Sequence, residues 1–185
     1  MSAKFLISAL AMVFFTSQAS AKTVVVNQVI SEQEVVAAQN NWCKALLDIG
    51  GAYEKNGHAA AKELAAQVID GAYGYQLGAV LFKPTLTVNP QTFRTTSDGA
   101  LSYFVGGDSN FPQDTGFALK GWKKCEVDNA AIYLEGDSAL TMGKVHFVGK
   151  DGKKTTVDKT WGYVKDAQGS LRIVLHHSSL EYAGK

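Results

Sequence analysis

The chain has 185 residues, 46% of them hydrophobic, with 18 basic and 17 acidic side chains for a formal net charge of +1. That is enough apolar material for one domain with a real core. A charge balance this even, with no long run of either sign, excludes the basic stripe of a nucleic-acid binder and gives a membrane surface no support.

The first 21 residues read as a secretory signal. Lys4 supplies the positive charge, Phe5 to Phe15 is a short apolar run, and Ala19-Ser20-Ala21 is a small-residue cleavage site. The run is too short to span a bilayer. Cleavage leaves residues 22–185 as a single domain, periplasmic or secreted, with no membrane attachment. Such a destination is oxidising, so Cys43 and Cys125 can form a disulfide. Equally, Cys43 beside Trp42 can be a small buried residue, and the spacing alone does not decide.

Lys22 to Val29 is a linker or a first short strand through Val24-Val25-Val26. Ser31-Glu32-Gln33-Glu34 then has the form of a capping box, in which hydroxyl and carboxylate satisfy the first free amides of a helix. Val35, Val36, Ala38, Trp42, Ala45, Leu46 and Ile49 follow at spacings of three and four, giving that helix one apolar face. Gly50-Gly51 is expected to end it. Asn56-Gly57 is a turn, and a second helix is expected from about His58 to Ala72, with His58 solvated at its start. Residues 73–85 form an irregular connector with a short strand at Val80 to Phe82.

The remainder reads as strands: Gln91 to Thr95, Ala100 to Val105, Gly116 to Leu119, Cys125 to Leu134, Ser138 to Val148, Thr155 to Lys165 and Leu171 to Ser179. Glu135-Gly136-Asp137, Asp151-Gly152 and Gln168-Gly169 mark the hairpins between the last four. Helices first and an antiparallel meander after them predict an α+β fold. A curved sheet with the N-terminal helices on one face makes a cone whose open end suits a small molecule. The outer face of the long strands suits a homodimer contact.

Familiar catalytic motifs are absent: no G-x-S-x-G, H-E-x-x-H, P-loop, glycine-rich dinucleotide fingerprint or C-x-x-C. The four histidines His58, His146, His176 and His177 show no metal-ligand spacing with a third donor. The last strand carries the most polar chemistry. Side chains alternate along it, so His176 and Ser178 share one face and His177 and Ser179 the other. Thr85 after Lys83-Pro84, Tyr103 in Leu-Ser-Tyr-Phe-Val, and Ser178 are hydroxyls set in apolar surroundings. Such hydroxyls must find partners, and a cluster of them suits a small oxyanion or a water. Each alone can equally be a core or turn residue.

Residues 73–85 (Tyr-Gly-Tyr-Gln-Leu-Gly-Ala-Val-Leu-Phe-Lys-Pro-Thr), 99–107 (Gly-Ala-Leu-Ser-Tyr-Phe-Val-Gly-Gly), 111–119 (Phe-Pro-Gln-Asp-Thr-Gly-Phe-Ala-Leu) and 175–180 (Leu-His-His-Ser-Ser-Leu) resemble the iota-class carbonic anhydrases. These are relatives of the calcium/calmodulin-dependent kinase association domain within the nuclear-transport-factor-like cone fold. The resemblance covers about residues 32–182. It implies reversible hydration of carbon dioxide to bicarbonate. It implies no metal for several members and zinc or manganese for others. It carries substrate binding and catalysis onto Thr85, Tyr103 and Ser178, with His176 as the fourth catalytic residue.

Histidine titrates near neutral pH, so His176 is expected to relay the proton, while His177 on the other face is a structural or interface residue. Leu81, Phe82 and Phe104 are expected to form a dry wall for the gas. Glu181 stands where the family often has proline, changing the exit of the tail. The cone fold hosts other roles. A binder of a small organic anion would show a large apolar cavity, and an oligomerisation module a filled, closed cone with an extensive interface.

Overall fold

In the computed structural model, which describes residues 28–184, the capping box holds as read. The Ser31 hydroxyl accepts from the Glu34 backbone N–H at 3.2 Å, and the Ser31 N–H donates to the Glu34 carboxylate at 2.8 Å. It opens α1 (Glu32–Ala72), which is followed by β1 (Leu81–Lys83), α2 (Ser97–Val105), a 3-10 turn (Phe117–Leu119), β2 (Trp122–Glu135), β3 (Ser138–Gly149), β4 (Lys154–Lys165) and β5 (Leu171–Leu180). The expected signal and the Val24–Val26 segment lie outside the described residues.

Four local expectations are corrected. Gly50-Gly51 does not end the first helix. The only non-helical residue inside α1 is Gly57, at φ 80° and ψ −174°, so the expected break at Asn56-Gly57 is the real one. Gly50 serves packing instead, since a Cβ there would stand 2.8 Å from the Ala118 carbonyl oxygen. Ala100 to Val105 is not a strand but the body of α2, whose first turn is capped by Thr96 accepting from the Gly99 N–H. A capping hydroxyl and a close helix partner outweigh the strand propensity of Tyr-Phe-Val. Gly116 to Leu119 contains the 3-10 turn, and Gln91 to Thr95 is an irregular loop.

The other strands are as read. They form one five-stranded sheet, ordered β1-β5-β4-β3-β2. The meander from β2 to β5 is antiparallel, and β1 adds a short parallel edge on β5. Register shifts at Trp122/Lys124, Asn129/Ala131 and Gly162/Tyr163 bend the sheet around the helices.

The inner face carries Val145, Phe147, Val157, Trp161, Tyr163 and Ile173, all buried, against Val35, Trp42, Leu46, Ile49, Ala61, Ala65 and Ile69 of α1. The Gln39 amide on α1 exchanges hydrogen bonds with Asn129 at 2.9 and 2.7 Å, beside the bulge. Cys43 on α1 and Cys125 on β2 form a disulfide, which settles the question their spacing left open. Among the described residues, no helix is long and apolar enough to cross a membrane.

Candidate active site

Three elements bring three hydroxyls together. Phe82 pairs in register with His176, and Lys83 with His177, so the turn that leaves β1 through buried Pro84 lies against the end of β5. There Thr85 Oγ1 donates to Ser178 Oγ at 2.6 Å. The third hydroxyl comes from α2: the Tyr103 phenol lies beside the Thr85 side chain and the Thr85 and Leu86 backbone. The Tyr103 ring is fixed by stacking on Phe117 (5.5 Å) and by edge contact with Phe82 (5.6 Å). Burial raises its pKa, so the phenol stays a proton donor across the physiological range. Ser178 is buried while Thr85 is only partly so, which makes Thr85 the member facing outward.

Sequence reasoning missed the cation at this site. The Lys83 ammonium donates to the Ser178 carbonyl oxygen at 2.8 Å. It forms no ion pair with a carboxylate among the described residues, and desolvation lowers its pKa. A positive charge held at the Ser178 backbone favours a small oxyanion near this end of β5.

Behind the hydroxyls lies a second polar group. His176 is on the same face as Ser178, as the alternation required, and it is buried while His177 is exposed. The His176 ring stacks on Phe82 at 4.3 Å. Both its nitrogens are taken: Nδ1 lies 2.9 Å from the Tyr73 hydroxyl and Nε2 lies 2.7 Å from Lys159 Nζ. Trp42 Nε1 donates in turn to Tyr73 at 3.0 Å. Burial holds the imidazole well below its ordinary value of 6.5. The ring therefore does not titrate near neutral pH, contrary to expectation.

Lys159 and Tyr73 were also missed. A signal for Lys159 was present: it falls in phase with Val157, Trp161 and Tyr163, all inward-facing on β4. Of the expected dry wall, Phe82 and Phe104 are buried, but Leu81 alternates to the outside and is 61% exposed.

A buried salt bridge between Arg94 and Asp114 (2.7 Å) holds the loop that follows β1. The Arg94 N–H also donates to the Phe82 carbonyl at 2.8 Å. His58 is exposed, as expected, and also donates through Nε2 to the Val105 carbonyl at 2.8 Å, which steadies the end of α2. Glu181 pairs with Lys144 at 2.6 Å, so the departure from proline becomes a surface ion pair on the tail. Among the described residues, no three His, Cys, Asp or Glu side chains converge as metal donors.

The arrangement is a set of neutral hydroxyls and one cation beside packed aromatic rings. Comparison with known proteins agrees. The family model of the metal-independent carbonic anhydrases matches residues 33–180. The metal-independent carbonic anhydrase of Nostoc sp. (strain PCC 7120) is 58% identical over 167 residues, spanning 90% of this chain and 82% of that protein. The crystal structure of a cyanobacterial iota-carbonic anhydrase complexed with bicarbonate is 57% identical. It covers 89% of this chain and 100% of that one, with a TM-score of 0.86. A calcium/calmodulin-dependent protein kinase II association domain from Xanthomonas campestris shares the fold at 21% identity and a TM-score of 0.51, over 87% of this chain and 95% of its own. Sequence, fold and a hydroxyl-lined site thus agree, and the chain belongs to the metal-independent carbonic anhydrase family.

Proposed function

We propose that Thr85, Tyr103 and Ser178 are the groups with which this carbonic anhydrase interconverts carbon dioxide and bicarbonate, without a resident metal. The observation that carries the proposal is the 2.6 Å hydrogen bond from Thr85 to Ser178, with the Tyr103 phenol set beside Thr85. Two serine/threonine hydroxyls can hold a water by both donating and accepting. Attack of that water on carbon dioxide develops negative charge on the gas's oxygens. The protonated Tyr103 phenol and the Lys83 ammonium are placed to stabilise that charge, and fixed donors aimed at developing charge are an effective source of rate enhancement.

The released proton leaves through the Thr85–Ser178 hydroxyl pair toward solvent. His176 has no nitrogen free for this step. Its part is to hold β5, and so Ser178, in place. The test is stopped-flow carbon dioxide hydration by protein treated with a strong chelator. Retained activity with no stoichiometric metal supports the reading. Activity that returns only with added zinc or manganese overturns it.

Export to the periplasm or outside the cell belongs to the same proposal, and the Cys43–Cys125 disulfide supports it. Amino-terminal sequencing of protein recovered from cell fractions would find Lys22 as the first residue. A chain retaining Met1 in the cytosolic fraction would contradict it. A homodimer through the outer sheet face is supported by Tyr133, Leu140 and Met142, which are 60, 50 and 63% exposed on that face. Leu140→Lys with Met142→Lys would yield a monomer in sedimentation, against a dimer for the parent. A monomeric parent would rule the dimer out.

A further inference from the structure

The string of hydrogen bonds behind the hydroxyls has a direction. Trp42 Nε1–H is a donor only, so the Tyr73 oxygen accepts from it, at 3.0 Å. The Tyr73 O–H then donates to His176 Nδ1, 2.9 Å away. A neutral imidazole accepting at Nδ1 carries its hydrogen on Nε2, and Nε2 faces Lys159 Nζ at 2.7 Å. A protonated amine there would set donor against donor. An uncharged Lys159 amine, offering its lone pair, completes the string with the Tyr73 O–H satisfied, whereas the reverse tautomer leaves that O–H without an acceptor among the described residues.

The surroundings agree. The agreeing feature is burial, which works against the ring faces of Trp42 (4.9 Å) and Trp161 (5.2 Å) beneath Nζ, since those would favour an ammonium. Among the described residues, no carboxylate pairs with it. The titratable groups that bear on it are His176 on β5 and Lys83 on β1. Burial pushes the Lys159 ammonium well below its ordinary 10.5, as the bond directions require.

The pocket is also short of acceptors. The indole N–H of Trp161 is buried without a partner. An orphaned buried donor calls for an explanation. A group with two anionic oxygens on Nζ would supply an acceptor for His176 Nε2–H and bring a second toward the Trp161 indole, and the Lys83 ammonium would offset its charge.

We infer that Lys159 is a carbamylation site: its uncharged amine, buried beside His176 next to the hydroxyls that handle carbon dioxide, adds the gas reversibly. The Nζ lone pair forms the N–C bond while one C=O π pair moves onto oxygen. The nitrogen then loses a proton to bicarbonate, which dehydrates to carbon dioxide and water. The net step is amine plus bicarbonate giving carbamate plus water, so charge and atoms balance. A desolvated lysine is the form of this side chain that acts as a nucleophile. The result is a negative charge, set by the carbon dioxide level, on the wall behind Ser178. The inference rests on the carbonic anhydrase reading only for the supply of the gas.

The test is to equilibrate the full mature protein with carbon-13 bicarbonate at neutral pH, alkylate the carbamates with triethyloxonium, and map the labelled peptides by mass spectrometry. The expected result is label on Lys159 that rises with bicarbonate, exceeds that on the exposed Lys55 and Lys62, and vanishes in Lys159→Met. Because the label is read in the unaltered protein, the test stands even if the variant misfolds. Lys159 left unlabelled, or labelled no more than the exposed lysines, overturns the inference. Carbon dioxide hydration measured on the same sample shows whether the functional reading falls with it.

Discussion

His176 and Ser178 are two residues apart, face the same way and are both buried, yet they belong to different regions. Ser178 joins Thr85 and Tyr103 in a cluster of neutral hydroxyls that opens outward through Thr85. His176 joins Trp42, Tyr73 and Lys159 in a sealed string of rings and an amine. His176, the one member of either cluster whose ordinary titration lies near neutral pH, is in the sealed region, where burial suppresses it. The groups that can touch substrate hold their protons. The difference teaches that proton chemistry here is assigned by access rather than by residue type.

Removing a hydroxyl should cost activity and little else. Ser178→Ala and Thr85→Val are expected to lower kcat for carbon dioxide hydration about a hundred-fold, the scale of one lost transition-state donor, with a change in unfolding free energy below about 1 kcal/mol. A variant that folds and keeps full activity would break the comparison. The sealed region should instead show itself in stability and its pH dependence. Lys159 has a folded pKa depressed below 10.5, so the unfolded chain binds the extra proton in the window beneath that value. Stability should therefore rise with pH toward 10.5, at up to about 1.4 kcal/mol per pH unit. Urea titrations of wild type and Lys159→Met should differ by that slope, the buried tyrosines being common to both.

His176→Gln removes the partner of both Tyr73 and Lys159 and should destabilise by about 1–3 kcal/mol. The same sign applies to its own titration. Its folded value lies below 6.5, so its contribution is full above 6.5 and is lost as pH falls beneath it. A pH–rate profile of wild type should show no step near 6.5 from this ring. Tyr103→Phe keeps the stacked ring and loses the phenol donor placed at the developing charge, with an expected fall in kcat of about a hundred-fold. Smallest of all, Leu81→Ala should leave kcat unchanged, because that side chain points outward.

Strand alternation made much of this legible. It placed His176 and Ser178 together, turned His177 away, and would have flagged Lys159 had the same period been read along Val157, Trp161 and Tyr163. The hairpins and the last four strands were legible because turn residues and period-two patterning agree there. The α2 segment was not, since Tyr-Phe-Val favours a strand locally and only the Thr96 cap and the packing on α1 make it a helix. The proximity of Thr85, Tyr103 and Ser178 was visible through resemblance alone. It depends on a parallel pairing of the three-residue β1 with β5, too short to leave a periodic signature. Lys83 was read as a neighbour of Pro84. Its role appears only when its ammonium meets the Ser178 carbonyl.

The central claim is that hydroxyls, rather than the sealed histidine or a metal, carry the reaction. Its most direct measurement is oxygen-18 exchange between labelled bicarbonate and water, followed by mass spectrometry on chelated protein, for wild type, Ser178→Ala and His176→Gln. The account predicts exchange by wild type that survives chelation, falls about a hundred-fold in Ser178→Ala, and persists within about ten-fold in folded His176→Gln. Exchange kept by Ser178→Ala, or lost by wild type on chelation and restored by zinc or manganese, would contradict it.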